Sequence, residues 1–244
     1  AWWMQLPGVA GTNRMWDILA PGAKGRYGTL TNFAATSTLT SGWNGGYNGF
    51  QSLAFDGAND IVTATIADAI MPRPYTVIAA YTPLELYNAG GNILFGRHDP
   101  ATNNGARIMM ASATAQTSLT LTFGAVADYP LTGLTHAIGT RSFCAVVVPA
   151  NSGTATAWQS AGGALRTAST SVGTMSGTPT RNSISSEVFA SGFHFQGNVE
   201  FMAIVAGAIT APIANGWHEQ WRRGFPDMLR RDGRNRRYVR GVRV

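Results

Sequence analysis

Few residues of this chain are spaced for chemistry, and their arrangement limits what it can do. Glycoside hydrolysis needs an acid facing a nucleophile or base, and on a strand two such residues must lie two apart to share a face. No strand-like run here carries two acids at that spacing: Glu187 and Glu200 are isolated, Glu85 lies beside a loop, and Asp128 precedes Tyr129-Pro130, which reads as a turn. There is no G-x-S-x-G elbow and no phosphate-binding P-loop. His98, His136, His194 and His218 lack the paired spacing of metal ligands, and His98-Asp99 reads as a loop pair. Cys144 sits in the apolar run Phe143–Val148 and reads as a buried, inert thiol. Asp56, Asn59 and Asp60 are hard oxygen donors suited to calcium. Asp56-Gly57 equally makes a tight turn, with Asp56 accepting backbone N–H groups, and the turn reading is favoured. No cofactor is expected, calcium at these three residues being the exception to test. Aromatic side chains could stack on sugars: Trp2, Trp3, Trp43, Tyr47 and Trp158 are candidates, with Trp43 and Tyr47 in the glycine-rich Gly42–Gly49 loop the best placed.

The elements that would hold these residues are mostly strands. Ser52–Phe55, Asp60–Ile66, Tyr75–Tyr81, Asn92–Gly96, Ala106–Ala111, Ser118–Phe123, Ser142–Val148, Thr154–Gln159 and Val199–Val205 are apolar or alternating runs separated by Gly, Pro, Asn and Thr clusters. Many short strands without strand–helix–strand alternation imply an all-β antiparallel sandwich, a jelly roll, rather than a doubly wound sheet. One helix is predicted, capped by Thr210, with Pro212 in its first turn and Gly224 as its stop. Trp217 and Trp221 share a face of it. They seal it onto the sandwich or, on the sharper reading, form a paired sugar platform; sealing is favoured.

Length and composition agree with one sandwich. The 244 residues are 45% hydrophobic and only 12% charged, and no apolar run is long enough to cross a bilayer. A single cysteine excludes an intramolecular disulfide framework. The net charge of +6 is unevenly placed. Nine arginines against Asp227 and Asp232 give residues 222–244 a net of +7, leaving residues 1–221 near neutral at −1. We therefore divide the chain into a body, 1–221, and a basic arm, 222–244. The arm offers Arg222, Arg223, Arg230, Arg231, Arg234, Arg236, Arg237, Tyr238, Arg240 and Arg243 to a partner. Arginine forks bind carboxylates and carbonyls bidentately. Three other readings of the arm remain open: nucleic-acid binding, a solvated tail, and docking on its own body.

The order of motifs resembles a known family. Gly28-Thr29-Leu30-Thr31-Asn32, then Gly42-Trp43, then Leu53-Ala54-Phe55-Asp56-Gly57-Ala58-Asn59-Asp60-Ile61-Val62 is similar to the opening of laminin-G-like, concanavalin A-type jelly rolls. Phe195-Gln196-Gly197-Asn198-Val199-Glu200-Phe201-Met202-Ala203-Ile204 is similar to a late strand of that family. The ending Arg222-Arg223-Gly224-Phe225-Pro226-Asp227-Met228-Leu229-Arg230-Arg231 resembles proteins of tailed phages. The resemblance implies a non-enzymatic virion protein, a capsid decoration or a tail- or fibre-associated part. On this reading the body is lectin-like, and the arm ties it to neighbouring subunits in a homo-oligomer. Its partners would be other virion proteins, then cell-surface glycans, with nucleic acid less favoured and no membrane contact. A secreted or surface carbohydrate-binding module is the runner-up, and a glycoside hydrolase with an unrecognised acid pair the third reading.

Overall fold

The computed structural model describes residues 2–4, 14–16, 27–33, 41–45, 51–65, 71–85, 92–99, 101, 104–110, 118–124, 127–175, 177–185 and 193–223. These residues form two antiparallel sheets, packed as a sandwich, and one helix. In the first sheet the order is β14 (Arg166–Ser171), β13 (Thr154–Ala161), β12 (Ser142–Val148), β7 (Tyr75–Pro83), β16 (Gln196–Ala206), β5 (Gln51–Asp56), β4 (Gly42–Gly45). Strand β1 (Trp2–Met4) joins the later half of β16. In the second the order is β11 (Ala127–Thr135), β10 (Ser118–Gly124), β9 (Gly105–Met109), β8 (Ile93–His98), β15 (Arg181–Ile184), β6 (Ile61–Thr65), β3 (Tyr27–Thr31), β2 (Arg14–Trp16).

Two clusters hold the fold. Between the sheets lie Leu53, Phe55, Val77, Tyr81, Phe95, Ile108, Leu121, Val146, Phe195 and Met202 with their neighbours. The second cluster lies on the far side of the first sheet, where Ile78, Phe143, Ala145, Trp158 and Phe201 meet Ala214, Trp217 and Trp221 of α1 (Ala211–Arg222). Apolar cover on both faces explains why β12 is buried at every position and reads as a continuous apolar run. Trp217 stacks on Phe201, with ring centroids 5.9 Å apart and planes at 12°. The sealing reading of the two tryptophans is the one realised; buried as they are, they form no sugar platform. Thr210 is the N-cap residue in extended backbone but makes no side-chain cap bond, and the helix ends at Arg223 in the C-cap position; Gly224 lies outside the described residues. No helix among the described residues is long and apolar enough to cross a membrane.

Seven strands, β1, β2, β3, β4, β11, β14 and β15, lie outside the runs expected from the sequence, and β4 occupies the first half of the Gly42–Gly49 segment expected as a loop. The Tyr129-Pro130 pair expected as a turn lies inside β11. That strand is the outer edge of its sheet, and its register slips between Ser118 and Thr120 opposite Pro130, a setting that tolerates a missing N–H. Strand β14 is a mostly exposed edge of Arg, Thr, Ala and Ser, and β15 is only four residues long, so neither carries a periodic apolar signal.

The turn after β5 forms as its residues predict. Asp56 Oδ1 accepts the backbone N–H groups of Ala58, Asn59 and Asp60 at 2.8, 3.2 and 3.4 Å. Gly57 stands at φ +78°, and a Cβ there would meet Gln196 Cβ at 2.8 Å. Gly57→Ala is therefore expected to cost about 1–2 kcal/mol from left-handed strain and crowding, measured as a lower urea midpoint. At Gly197 the demand is spatial: a Cβ would lie 2.3 Å from the Thr82 carbonyl oxygen.

Candidate functional site

The outer face of the second sheet brings together what the sequence scatters. Val62, Phe95, Ala106, Ile108, Leu121 and Ile184 point into the inter-sheet core, so alternation turns their neighbours outward. The strand registers then align one row across seven strands: Thr29, Thr63, Ser183, Gly96, Arg107, Thr122 and Asp128. The next row is Thr65, Arg181, His98, Gly105 and Gly124. Gly96 and Gly105 are buried in the middle of these rows. A Cβ on Gly96 would lie 2.7 Å from His98 Cε1 and 3.0 Å from Ser183 Oγ, so the imidazole lies folded back across Gly96. His98 and Ser183 are fully buried, whereas Arg107 and Arg181 remain partly exposed. The guanidinium-bearing side chains thus reach the surface, with the imidazole beneath it. Burial, reinforced by the charges of Arg107 and Arg181, pushes the His98 pKa down to about 4, so its ring is neutral at pH 7. At the row's end, the Thr122 hydroxyl donates to Asp128 Oδ1 at 2.6 Å.

A buried arginine supports this face from behind. Arg97, one residue before His98, points inward, donating to the Pro179 carbonyl at 3.0 Å and, more weakly, to Asn182 Oδ1 at 3.4 Å. Its guanidinium carbon lies 5.3 Å from the centroid of the Tyr75 ring of the opposite sheet. The residue ties β8, β15 and the segment before β15 to the core.

The partly exposed hydroxyls and guanidiniums of these rows are groups that bind polar ligands. Asp56 and Asp60 share the β5–β6 turn, and the carboxylates of Glu200, Asp99 and Glu219 are dispersed. Glu200 is held by Arg141, which donates Nε–H to Oε1 and Nη2–H to Oε2, each at 2.6 Å. Asp99 caps the backbone of Ala101 and Thr178, and Glu219 lies on the exposed side of α1. Asp60 is fully buried and accepts the Asp56 N–H on Oδ2 at 3.0 Å, and burial pushes its pKa up to about 6.

The residues selected from the sequence fall elsewhere. Asp56, Asn59 and Asp60 come together at the β5–β6 turn, where the Asp56 and Asp60 oxygens act as acceptors for the turn's own backbone and the Asn59 carbonyl accepts from Asn32 Nδ2 at 3.1 Å. Among the described residues, no group of three or more His, Cys, Asp or Glu side chains is placed to hold a metal ion. Trp43 lies on β4, with its side chain outside the described atoms, and Tyr47 lies outside the described residues. Trp158 is buried beneath the helix cluster. Of the basic arm, Arg222 ends α1, 3.5 Å from Glu219, and Arg223 caps it. Arg230, Arg231, Arg234, Arg236, Arg237, Tyr238, Arg240 and Arg243 lie outside the described residues. Cys144 is buried, its thiol pushed up to about 12. Beside it, in a cluster no sequence signal announced, the His136 ring nitrogen Nδ1 lies 3.1 Å from Tyr81 Oη and 3.0 Å from Gln159 Nε2.

No protein-family model matches the chain, and no curated protein sequence matches it. Its fold is shared with several solved structures. Domain 4 of AbnA, an extracellular arabinanase from Geobacillus stearothermophilus, in complex with arabinotriose, is 17% identical with a TM-score of 0.55, over 78% of this chain and 86% of that one. Trypanosoma rangeli sialidase in complex with sialic acid is 13% identical with a TM-score of 0.58, over 91% of this chain and 32% of that one. The enzymatically active domain of tailspike protein 2 from bacteriophage CBA120 is 13% identical with a TM-score of 0.51, over 73% and 31%. The chain thus spans nearly all of the arabinanase domain but about a third of the other two. At these identities the likeness shows the β-sandwich fold alone.

Proposed function

We propose that this chain is a non-enzymatic carbohydrate-binding sandwich that serves in a virion. In this reading sugars lie along the outer face of the second sheet, and the basic segment after α1 fastens the body to neighbouring subunits. The observation that carries the binding half is the polar row that the register aligns from Thr29 to Asp128, on which Thr29, Thr63, Arg107 and Asp128 are exposed or partly exposed. Its exposed members supply hydroxyl and guanidinium donors and one carboxylate, Asp128. A sandwich solved with arabinotriose and a tailspike domain of the same fold support the choice of ligand class and setting. The arginine-rich ending, with its tailed-phage resemblance, supports the virion half.

A glycan array probed with the purified chain tests the binding half. Reproducible binding to a defined set of glycans, lost in Arg107→Ala at unchanged melting temperature, is the expected result; an empty array overturns it. Release of reducing ends from any bound polysaccharide would replace this reading with a hydrolase. For the virion half, a chain ending at Arg223 is expected to be absent from purified particles, and undiminished incorporation overturns the anchoring role.

A further inference from the structure

We infer that the β14 edge of the first sheet is an interface, where a second copy of this chain adds its own β14 antiparallel and the two first sheets run on as one across a two-fold axis. The contact is independent of the carbohydrate reading and of any role for the basic segment after α1.

An edge strand presents a row of backbone N–H and C=O groups that a further strand can pair, and folded chains blunt such edges with proline, lysine, bulges or short strands. The two edge strands β14 and β11 differ in that respect. Strand β11 carries Pro130, slips register against β10 between Ser118 and Thr120, and holds Gly133 at φ +88°. Strand β14 carries none of these devices. Its six residues run opposite β13 in six consecutive pairs without a slip, and its one charged side chain, Arg166, stands at the first position. Among the described residues its backbone pairs with β13 alone, which leaves the groups along its other side without partners. Arg166, Thr167, Ser169 and Ser171 are exposed. The neighbouring elements lie above and below the sheet: α1 over β12 and β13, and β11 across the core from β14 and β13.

The occupant follows from the strand's own residues. Strand addition draws its selectivity from pockets for alternate side chains, and this short-chained, nearly uncharged edge offers a foreign peptide none. Its own copy fits it. Residues opposite each other in an antiparallel pair lie on the same face of the sheet, so a two-fold axis joins two copies only where a residue meets its own counterpart. Centred on Ala168, the pairing sets Thr167 against Ser169 and Arg166 against Thr170; centred on Ser169, it sets Ala168 against Thr170 and Thr167 against Ser171. In either case the two Arg166 stand at opposite ends, roughly 14 Å or more apart along the strands, beyond the screening length of about 8 Å in physiological salt. The half-buried Ala168, packed against the core between the sheets, gains cover from the added strand. On the outer face the hydroxyl pair of Thr156 and Ser169, 3.0 Å apart, extends to the hydroxyls of the second copy.

Sedimentation equilibrium of the full-length chain over a hundredfold range of concentration tests the inference, with hydrogen exchange of the β14 amides as a second readout. The expected result is a monomer–dimer equilibrium in which dimer formation protects those amides of Arg166–Ser171 that do not bond to β13. Thr167→Lys and Ser169→Lys, at exposed positions, should each weaken the dimer at least tenfold while the dilute monomer keeps its melting temperature. Mixing Ser169→Lys with Ser169→Asp chains should recover association that neither shows alone, because both registers set position 169 opposite or diagonal to its own copy. A chain that stays monomeric throughout overturns the inference. A dimer indifferent to both lysine substitutions is held by the basic segment or another surface and overturns it as well. Protection of every β14 amide in the dilute monomer would mean that the edge is covered within one chain, with the same consequence.

Discussion

Trp221→Ala is expected to lower unfolding free energy by about 3–5 kcal/mol, the usual cost of truncating a buried tryptophan, read as a fall in the urea midpoint at unchanged slope. The ring is 3% exposed and lies at the meeting point of three structures. Its centroid is 5.7 Å from Phe143 of β12 and 5.6 Å from His218, three residues earlier in α1. The Arg141 guanidinium carbon stands 4.5 Å from the ring centroid, and that guanidinium grips Glu200 through two 2.6 Å bonds. Glu200 is the extra residue where the β16 register slips between Val199 and Phe201 against β7. The indole therefore roofs an ion pair anchored at a bulge, and removing it admits water to both. A buried pair deprived of its surroundings gains hydration and loses mutual attraction, so the helix loses an electrostatic as well as an apolar contact with the sheet. A loss below about 1 kcal/mol would mean that α1 is an ornament on a sheet that is stable without it.

The sequence made the central strands legible because they are apolar on both faces. Ser142–Val148 matched β12 at both ends, and Phe55, Asp56 and Gly57 took the roles their chemistry dictates. Polar edges were not legible. The run Arg166–Ser171 is held by its register with β13, by bonds such as that between the Thr156 and Ser169 hydroxyls at 3.0 Å, and by nothing periodic in its own residues. Pro130 argues locally for a turn, and only the sheet's edge makes it tolerable in a strand.

The candidate face was harder still to read. His98, Arg107 and Arg181 belong to three strands, and no spacing along the chain announces that β15 slots between β6 and β8. His98 drew notice only for its neighbour Asp99, whose carboxylate in fact caps backbone amides of Ala101 and Thr178. A sequence signal did exist: outward positions of the second-sheet strands are largely Thr, Ser, Arg, His and Gly, alternating with an inward set that is apolar apart from Arg97 and Asn182. It becomes a site only when the register is known.

Stability is expected to fall by several kcal/mol as pH drops from about 6.5 to 4.5, because the buried histidines must stay neutral. Burial pushes His136 down to about 3 and His98 to about 4, and it lowers His194 and His218 as well. In the unfolded chain each protonates near 6.5. Between the folded and unfolded values the unfolded state binds more protons, so stability is full above 6.5 and is lost as pH falls. Each pKa unit corresponds to roughly 1.4 kcal/mol, which makes His136 and His98 the dominant contributors, on the order of 5 and 3 kcal/mol once fully expressed. Asp60 acts in the opposite sense. Its carboxyl is raised from 3.8 to about 6, so across that window the folded state binds the extra proton and gains stability as pH falls. The two effects separate by mutation. Asp60→Asn keeps an acceptor for the Asp56 N–H and removes the opposing titration, so the acid-side loss should steepen. His136→Asn removes a proton acceptor from the unfolded chain and should flatten it, whatever it costs at pH 7.5 through the lost contacts to Tyr81 and Gln159. Urea unfolding at pH 7.5, 6.5, 5.5 and 4.5 reads both slopes. A wild-type stability that is level or rising toward pH 4.5 would mean the imidazoles gain charge inside the folded sandwich, and the neutral floor beneath Arg107 and Arg181 would fail with it.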